Sequence, residues 1–137
     1  MILLDTNVVS ELRPGKRESS AEVRAWAAAQ AIETLYLSSI TLLELRVGME
    51  RKARLDGEQG RRLKAWITAL EAEFEARILP FGARSAQCCA PLHVPNPREW
   101  GDAAIAATAL EYGFAVATRN VRDFEHTGVR VINPWEA

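Results

Sequence analysis

Only two cysteines occur in 137 residues, and they are neighbours, Cys88 and Cys89. A bridge between adjacent cysteines is strained, so no disulfide framework is expected. The two histidines, His93 and His126, lie too far apart to complete a zinc-finger set. No run approaches the roughly 20 apolar residues that span a bilayer. Met1–Leu4 is too short for a signal-peptide apolar region and has no basic leader. Neither sign of charge is in excess: 17 Lys and Arg stand against 18 Asp and Glu, a net −1. There is then no global basic field to hold nucleic acid, and any such role must come from a local site. No G-x-S-x-G elbow, Cys–His catalytic pairing or phosphate-binding glycine loop is expected from the sequence. The expectation is a reduced, cytoplasmic protein with no membrane segment and no structural zinc.

What is present reads as an ordinary globular composition, 48% apolar and 26% charged, long enough for one domain over 1–137. Residues 2–4 (ILL) predict an inner strand of a parallel sheet. VVSELR predicts a short helix stopped by Pro14-Gly15. SSAEVRAWAAAQ predicts a helix with a Ser N-cap. LYLSS predicts a second strand, followed by a helix over SITLLELRVGMERKAR. Leu63, Trp66, Ile67, Leu70 and Phe74 form one apolar stripe on a helix over about 58–76. RILPF predicts a third strand, GARSAQCCAPL a helix cut at Pro91, and HVPNPREW a loop. GDAAIAATALEYG predicts a helix ended by Gly113, with FAVAT and VRVIN as the last two strands. Strands alternating with helices predict an α/β fold with a parallel sheet.

In such sheets ligands bind beyond the carboxyl ends of the strands, and acids fall there repeatedly. Asp5 follows the first strand, Glu44 lies about a turn into the helix after the second, Asp102 opens a late helix, and Asp123 follows the fourth strand. Two like charges about 4 Å apart repel by roughly 4 kcal/mol at an effective dielectric near 20. Carboxylates gathered there must share protons or surround a hard cation. Oxygen donors without nearby Cys or His suit Mg²⁺ or Mn²⁺, the arrangement used for metal-assisted phosphodiester hydrolysis. Thr6, Asn7, Thr118 and Asn120 are placed to orient the carboxylates or bound water.

Ordinary structural roles compete with this reading. Asp5 and Asp102 suit helix caps or a first turn. Glu44, among leucines, has Arg46 nearby as an ion-pair partner or a solvated face to occupy. Asp123 beside Arg119 and Arg122 needs no reason beyond a surface loop.

Taken together, LLDTNVVSE, SSITLLELRVG, GDAAIAATAL, ATRNVRDF and the terminal INPW resemble the PIN-domain ribonucleases, specifically toxins of the VapC/FitB type. The resemblance covers nearly the whole chain in order and spacing, and is weakest over 50–100. It implies a PIN-like α/β/α sandwich with a central parallel sheet of four to five strands. It also implies Mg²⁺- or Mn²⁺-dependent cleavage of single-stranded or loop RNA, leaving a 5′-phosphate and a 3′-hydroxyl. The family's acidic set falls on Asp5, Glu44 and Asp102, with Asp123 as the fourth acid and Asn120 as a polar support. A cognate antitoxin and a homodimer are implied as partners. The helix carrying Trp26 and the Leu63–Phe74 stripe are candidate dimer surfaces, against the commoner alternative of core.

RNA contact is expected at Arg119 and Arg122, with Arg46, Arg51, Lys52 and Arg54 as further basic residues. Trp100 has two readings, stacking on a base or packing locally. The alternative function is a catalytically weak PIN-fold module that binds RNA or protein. A receiver-like phosphoacceptor is set aside, because LLDTN has one acid and no Lys follows FAVAT.

Overall fold

A computed structural model describes all residues 1–137. Its centre is β1 (Ile2–Leu4), three buried residues flanked by parallel strands on both sides. With β2 (Leu35–Ser38), β3 (Ile78–Leu79), β4 (Ala115–Ala117) and β5 (Val131–Ile132), it forms a five-stranded sheet of order β3-β2-β1-β4-β5. Every pairing is parallel. Ile2 and Leu4 face one layer and Leu3 the other, the alternation a pleated strand imposes.

One layer holds α1 (Thr6–Glu11), α2 (Ala21–Ala28), α3 (Ser39–Leu55) and α4 (Gly57–Glu73), packed through Val8, Val23, Met49, Ile67 and Phe74. The other holds α5 (Ala83–Cys89) and α6 (Trp100–Tyr112), packed through Ile105, Ala106 and Ala109. The result is an α/β/α sandwich. Residues 103–109 of α6 are all buried, which is why this helix is apolar on every side. Ala103 and Ala107 meet Cys89 of α5, while Ile105 and Ala106 meet the sheet.

The expected strands and helices are all present, with shifted edges. The helix expected over 58–76 is α4, ending at Glu73 where Phe74 leads into a 3₁₀ turn, Glu75–Arg77. There Arg77 donates to the carbonyls of Ile32 and Leu35 at 2.7 Å each, fastening the start of β3 to the start of β2. Asp56 separates α3 from α4, its carboxylate capping Glu58 and Gln59 N–H. The two helices close tightly at Gly60, where an added Cβ would lie 2.5 Å from Ala53 Cβ. Ile67, Leu70 and Phe74 of the stripe lie in the core, while Leu63, Trp66 and Trp26 are half-buried and pack against it.

Candidate active site

Asp5 leaves the end of β1 in extended backbone and is 4% exposed. Its two oxygens do different work. Oδ1 accepts from Thr6 N at 2.8 Å and caps α1, while Oδ2 accepts from Thr118 Oγ1 at 2.7 Å and Asn7 Nδ2 at 3.3 Å. The cap reading and the site reading are therefore both realised in one side chain. Asp5 N also donates to Ala117 O at 2.9 Å, which brings the ends of β1 and β4 together. Thr118, fully buried just after β4, donates to Asp5 and accepts from Asn120 N at 3.0 Å.

Ser38 caps α3, and the first turns of that helix carry Glu44 back over α1. Glu44 Oε1 accepts from Thr6 Oγ1 at 2.6 Å. Arg46, the rival partner for Glu44, is bound instead to Glu71 at 2.8–2.9 Å. The stem of Glu44 is open to solvent, and its carboxylate rests on Thr6.

At the start of α6 the structure adds an acid that sequence reasoning missed. Glu99, not Asp102, is the N-cap: its oxygens accept from Gly101 N at 2.9 Å and Asp102 N at 2.7 Å. Asp102 is the third residue of the helix rather than its opening residue. Glu is not a favoured cap, and HVPNPREW reads as loop, so the only signal was an acid immediately ahead of the Asp102 helix. Gly101 keeps Glu99 and Glu44 close, since an added Cβ would lie 2.8 Å from Glu44 Oε2 and 3.1 Å from Glu99 Oε2. Trp100 is 76% exposed, its ring leaning on His93 at a centroid distance of 4.6 Å.

Asp123 lies on the 3₁₀ turn Val121–Phe124 after β4, exposed to solvent, as is Asn120. Arg98 donates to the carbonyls of Asp123 and Glu125, tying this turn to the proline-rich loop. Arg119 and Arg122 are exposed on the same segment, with the Arg119 guanidinium 5.2 Å above the Trp135 ring.

The acids act on one another. Burial raises the Asp5 pKa above the usual carboxylate range against its hydrogen bonds from Thr118 and Thr6, and the charges of Asp123 and Glu99 add to the rise. Glu44 is raised by desolvation, opposed by its hydrogen bond from Thr6, with Asp5 and Glu99 adding charge repulsion. Asp102 is pushed up to about 7, first by desolvation and then by Asp5, Glu99, Asp123 and Glu44. No hydrogen bond offsets that rise. The acids thus share one edge of the sheet within electrostatic reach. No three Asp, Glu, His or Cys side chains close into a metal cage. The available donors are all oxygens, the chemistry that a hard divalent cation takes. Asp5, Glu44, Asp102 and Asp123, with Glu99, are the carboxylates gathered at this edge.

Gly101→Ala tests how finely the edge is set. The new methyl group meets flexible carboxylate ends, so the fold should tolerate it, and Ala is the better helix former by about 1 kcal/mol. Displacing Glu44 by about an ångström is expected to lower any catalysis by roughly 100-fold. Thermal unfolding and turnover measured side by side separate the two effects.

Comparisons with known proteins agree with this architecture. The family model described as PIN domain matches residues 2–129. The chain is 44% identical to the plasmid stability protein StbB of Pseudomonas syringae pv. tomato, with 100% of both chains covered. It is 42% identical to VapC ribonuclease Y4jK of Sinorhizobium fredii, with 99% of each covered. The crystal structure of FitAcB from Neisseria gonorrhoeae superposes with a TM-score of 0.89 at 35% identity, covering 100% of both chains.

Proposed function

The chain belongs to the PIN-domain family, and from that premise we propose that it is a Mg²⁺- or Mn²⁺-dependent endoribonuclease, the toxin of a cytoplasmic toxin–antitoxin pair. The observation that carries this reading is the gathering of acids from separate segments at one sheet edge, with Asp5 at the end of β1, Glu44 on Thr6, and Glu99 and Asp102 at the start of α6. There burial and four neighbouring acids raise the Asp102 carboxyl to about 7. A cluster so loaded with negative charge favours a cation. The Y4jK relative is named a VapC ribonuclease, in keeping with nuclease chemistry at such an edge.

Asp5, Glu44 and Asp102 would hold the metal, with Asp123 assisting, and a bound cation would supply water activation and charge neutralisation at the scissile phosphate. The protein's own part is orientation. Thr118, Asn7 and Thr6 fix both oxygens of Asp5, and Thr6 also fixes Glu44, so Thr6 sets two acids relative to each other. Glu99 holds the first turn of α6 and with it the placement of Asp102. Arg119 and Arg122, exposed on the segment after β4 that carries Asp123, would contact RNA phosphates. Trp100, exposed on the same helix start, offers a stacking face to an unpaired base. The partners are single-stranded or loop RNA, a second copy of the chain, and a cognate antitoxin whose cationic side chain neutralises the acids.

The test is cleavage of a mixed-sequence single-stranded RNA by purified, antitoxin-free chain. Cleavage is expected with Mg²⁺ or Mn²⁺ and is expected to stop in EDTA. Cleavage that survives EDTA rules out the metal. If RNA binds without being cut under any metal, the protein is a binding module.

A further inference from the structure

We infer that the RNA strand leaves the acidic edge along a basic cleft between the loop 12–20 and α4, and is held there by its phosphates. This inference rests on the ribonuclease reading and names the path of its substrate. Two hollows carry the argument. The smaller, about 270 Å³, has Thr6 and Glu44 of the acidic edge in its wall, together with Arg13, Lys16 and Lys52. The larger, about 680 Å³, has Arg13, Lys16, Arg17 and Arg62 in its wall. Arg13, Lys16, Leu63 and Trp66 line both, so the hollows adjoin and form one track running from the acids to the basic residues.

The loop that supplies the cations is fixed. Glu11 Oε2 pairs with Lys16 Nζ at 2.5 Å and Glu11 Oε1 accepts from Ser20 N at 3.2 Å, which braces 12–20 from below. Arg62 is paired with Glu58 across one helical turn. The remaining charges, Arg13, Arg17 and Lys52, enter no ion pair within the chain. The nearby Asp56 is occupied in capping α4. Of the other basic candidates on α3, Arg46 is bound to Glu71, which leaves Lys52 as the one that lines this track.

A polyanion suits the arrangement. The net charge of the chain is −1, and its catalytic edge is acidic, so a phosphate backbone needs local cations to approach it. Half-buried Trp66, in the wall of both hollows, gives a base a ring to rest on. The cleft lies on the α1–α4 side of the sheet, so a control is available on the opposite side in Arg84, exposed on α5.

The experiment measures binding of a fluorescent 12-nucleotide single-stranded RNA in EDTA as a function of salt. The wild-type chain is compared with the triple variant Arg13→Gln, Arg17→Gln, Lys52→Gln and with Arg84→Gln. Cleavage with Mn²⁺ is measured in parallel. The triple variant is expected to bind roughly 50-fold more weakly at about 0.15 M salt, with a log–log salt slope shallower by about 2, as three phosphate contacts on a single strand predict. Arg84→Gln should leave both unchanged. Unaltered affinity and slope in the triple variant, with wild-type cleavage intact, would overturn the track alone. A wild-type chain that neither binds nor cleaves RNA overturns the ribonuclease reading and the track with it.

Discussion

Asp5→Asn is expected to reduce RNA cleavage by about 1000-fold with little change in fold stability. The reduction follows from removing a carboxylate from the metal-holding set, a loss of several kcal/mol in charge stabilisation, at 1.36 kcal/mol per tenfold in rate. The stability expectation comes from the surroundings of Asp5. Asn retains one oxygen to cap Thr6 N, where Asp5 Oδ1 accepts at 2.8 Å. Its new amide meets Thr118 Oγ1, which already accepts from Asn120 N at 3.0 Å and Asn7 Nδ2 at 3.3 Å. The Thr118 hydroxyl and Asn7 Nδ2 so lose Asp5 Oδ2 as their acceptor, a cost of about 1–3 kcal/mol. Removing a buried charge works the other way. Circular dichroism and thermal unfolding should therefore overlay wild type while cleavage disappears. Calorimetric titration of Mn²⁺ should show the affinity lost as well. Cleavage within tenfold of wild type in a folded variant would remove Asp5 from the catalytic set.

The second large effect is on stability and its pH dependence. Asp102 has its carboxyl raised to about 7 in the folded chain from an ordinary 3.8. Between those values the folded state binds a proton that the unfolded state has lost, so this group makes the chain less stable as pH rises through that window. Above about pH 7 the full penalty is present; below about pH 4 it is gone. Three pKa units correspond to about 4 kcal/mol, and screening of a half-buried side chain reduces this to about 2 kcal/mol. In EDTA at pH 8, Asp102→Asn is then expected to be about 2 kcal/mol more stable than wild type. The gap should close on acidification towards pH 4. Added Mn²⁺ should reverse the order, because a cation that binds only the native wild-type site stabilises it by mass action. Urea unfolding at three pH values, with and without Mn²⁺, reads all of this. A variant less stable than wild type at pH 8 in EDTA would show that Asp102 is not under charge pressure.

Both effects depend on groups brought together from distant parts of the chain, and their legibility in the sequence was uneven. Asp5 was legible because a fully apolar strand stops on it, and strand ends are where parallel sheets place polar function. Its partner Thr118 was legible for the same reason after β4. Glu44 stood out as a charge among leucines, although Thr6 as its partner, rather than Arg46, depends on how α3 lies over α1. Glu99 was not legible. Its role follows from capping geometry at α6 and from Gly101 admitting it beside Glu44, and neither is written in a local pattern.

The sequence by itself determined the layered α/β architecture, because short apolar runs alternate with helices, and the inner strands β1 and β4 are buried on both faces. It also determined which acids end up at the carboxyl ends of strands, since that follows from chain order once the strands are parallel. Only the tertiary structure decided which groups couple. It put Ile67, Leu70 and Phe74 of the stripe in the core and left Leu63 and Trp66 in the wall of a cleft, bound Arg46 to Glu71, and set the loop 12–20 against α4. Those outcomes depend on packing distances and on the orientation of helices separated by dozens of residues. Local pattern carries information over one or two turns, and cannot reach that far.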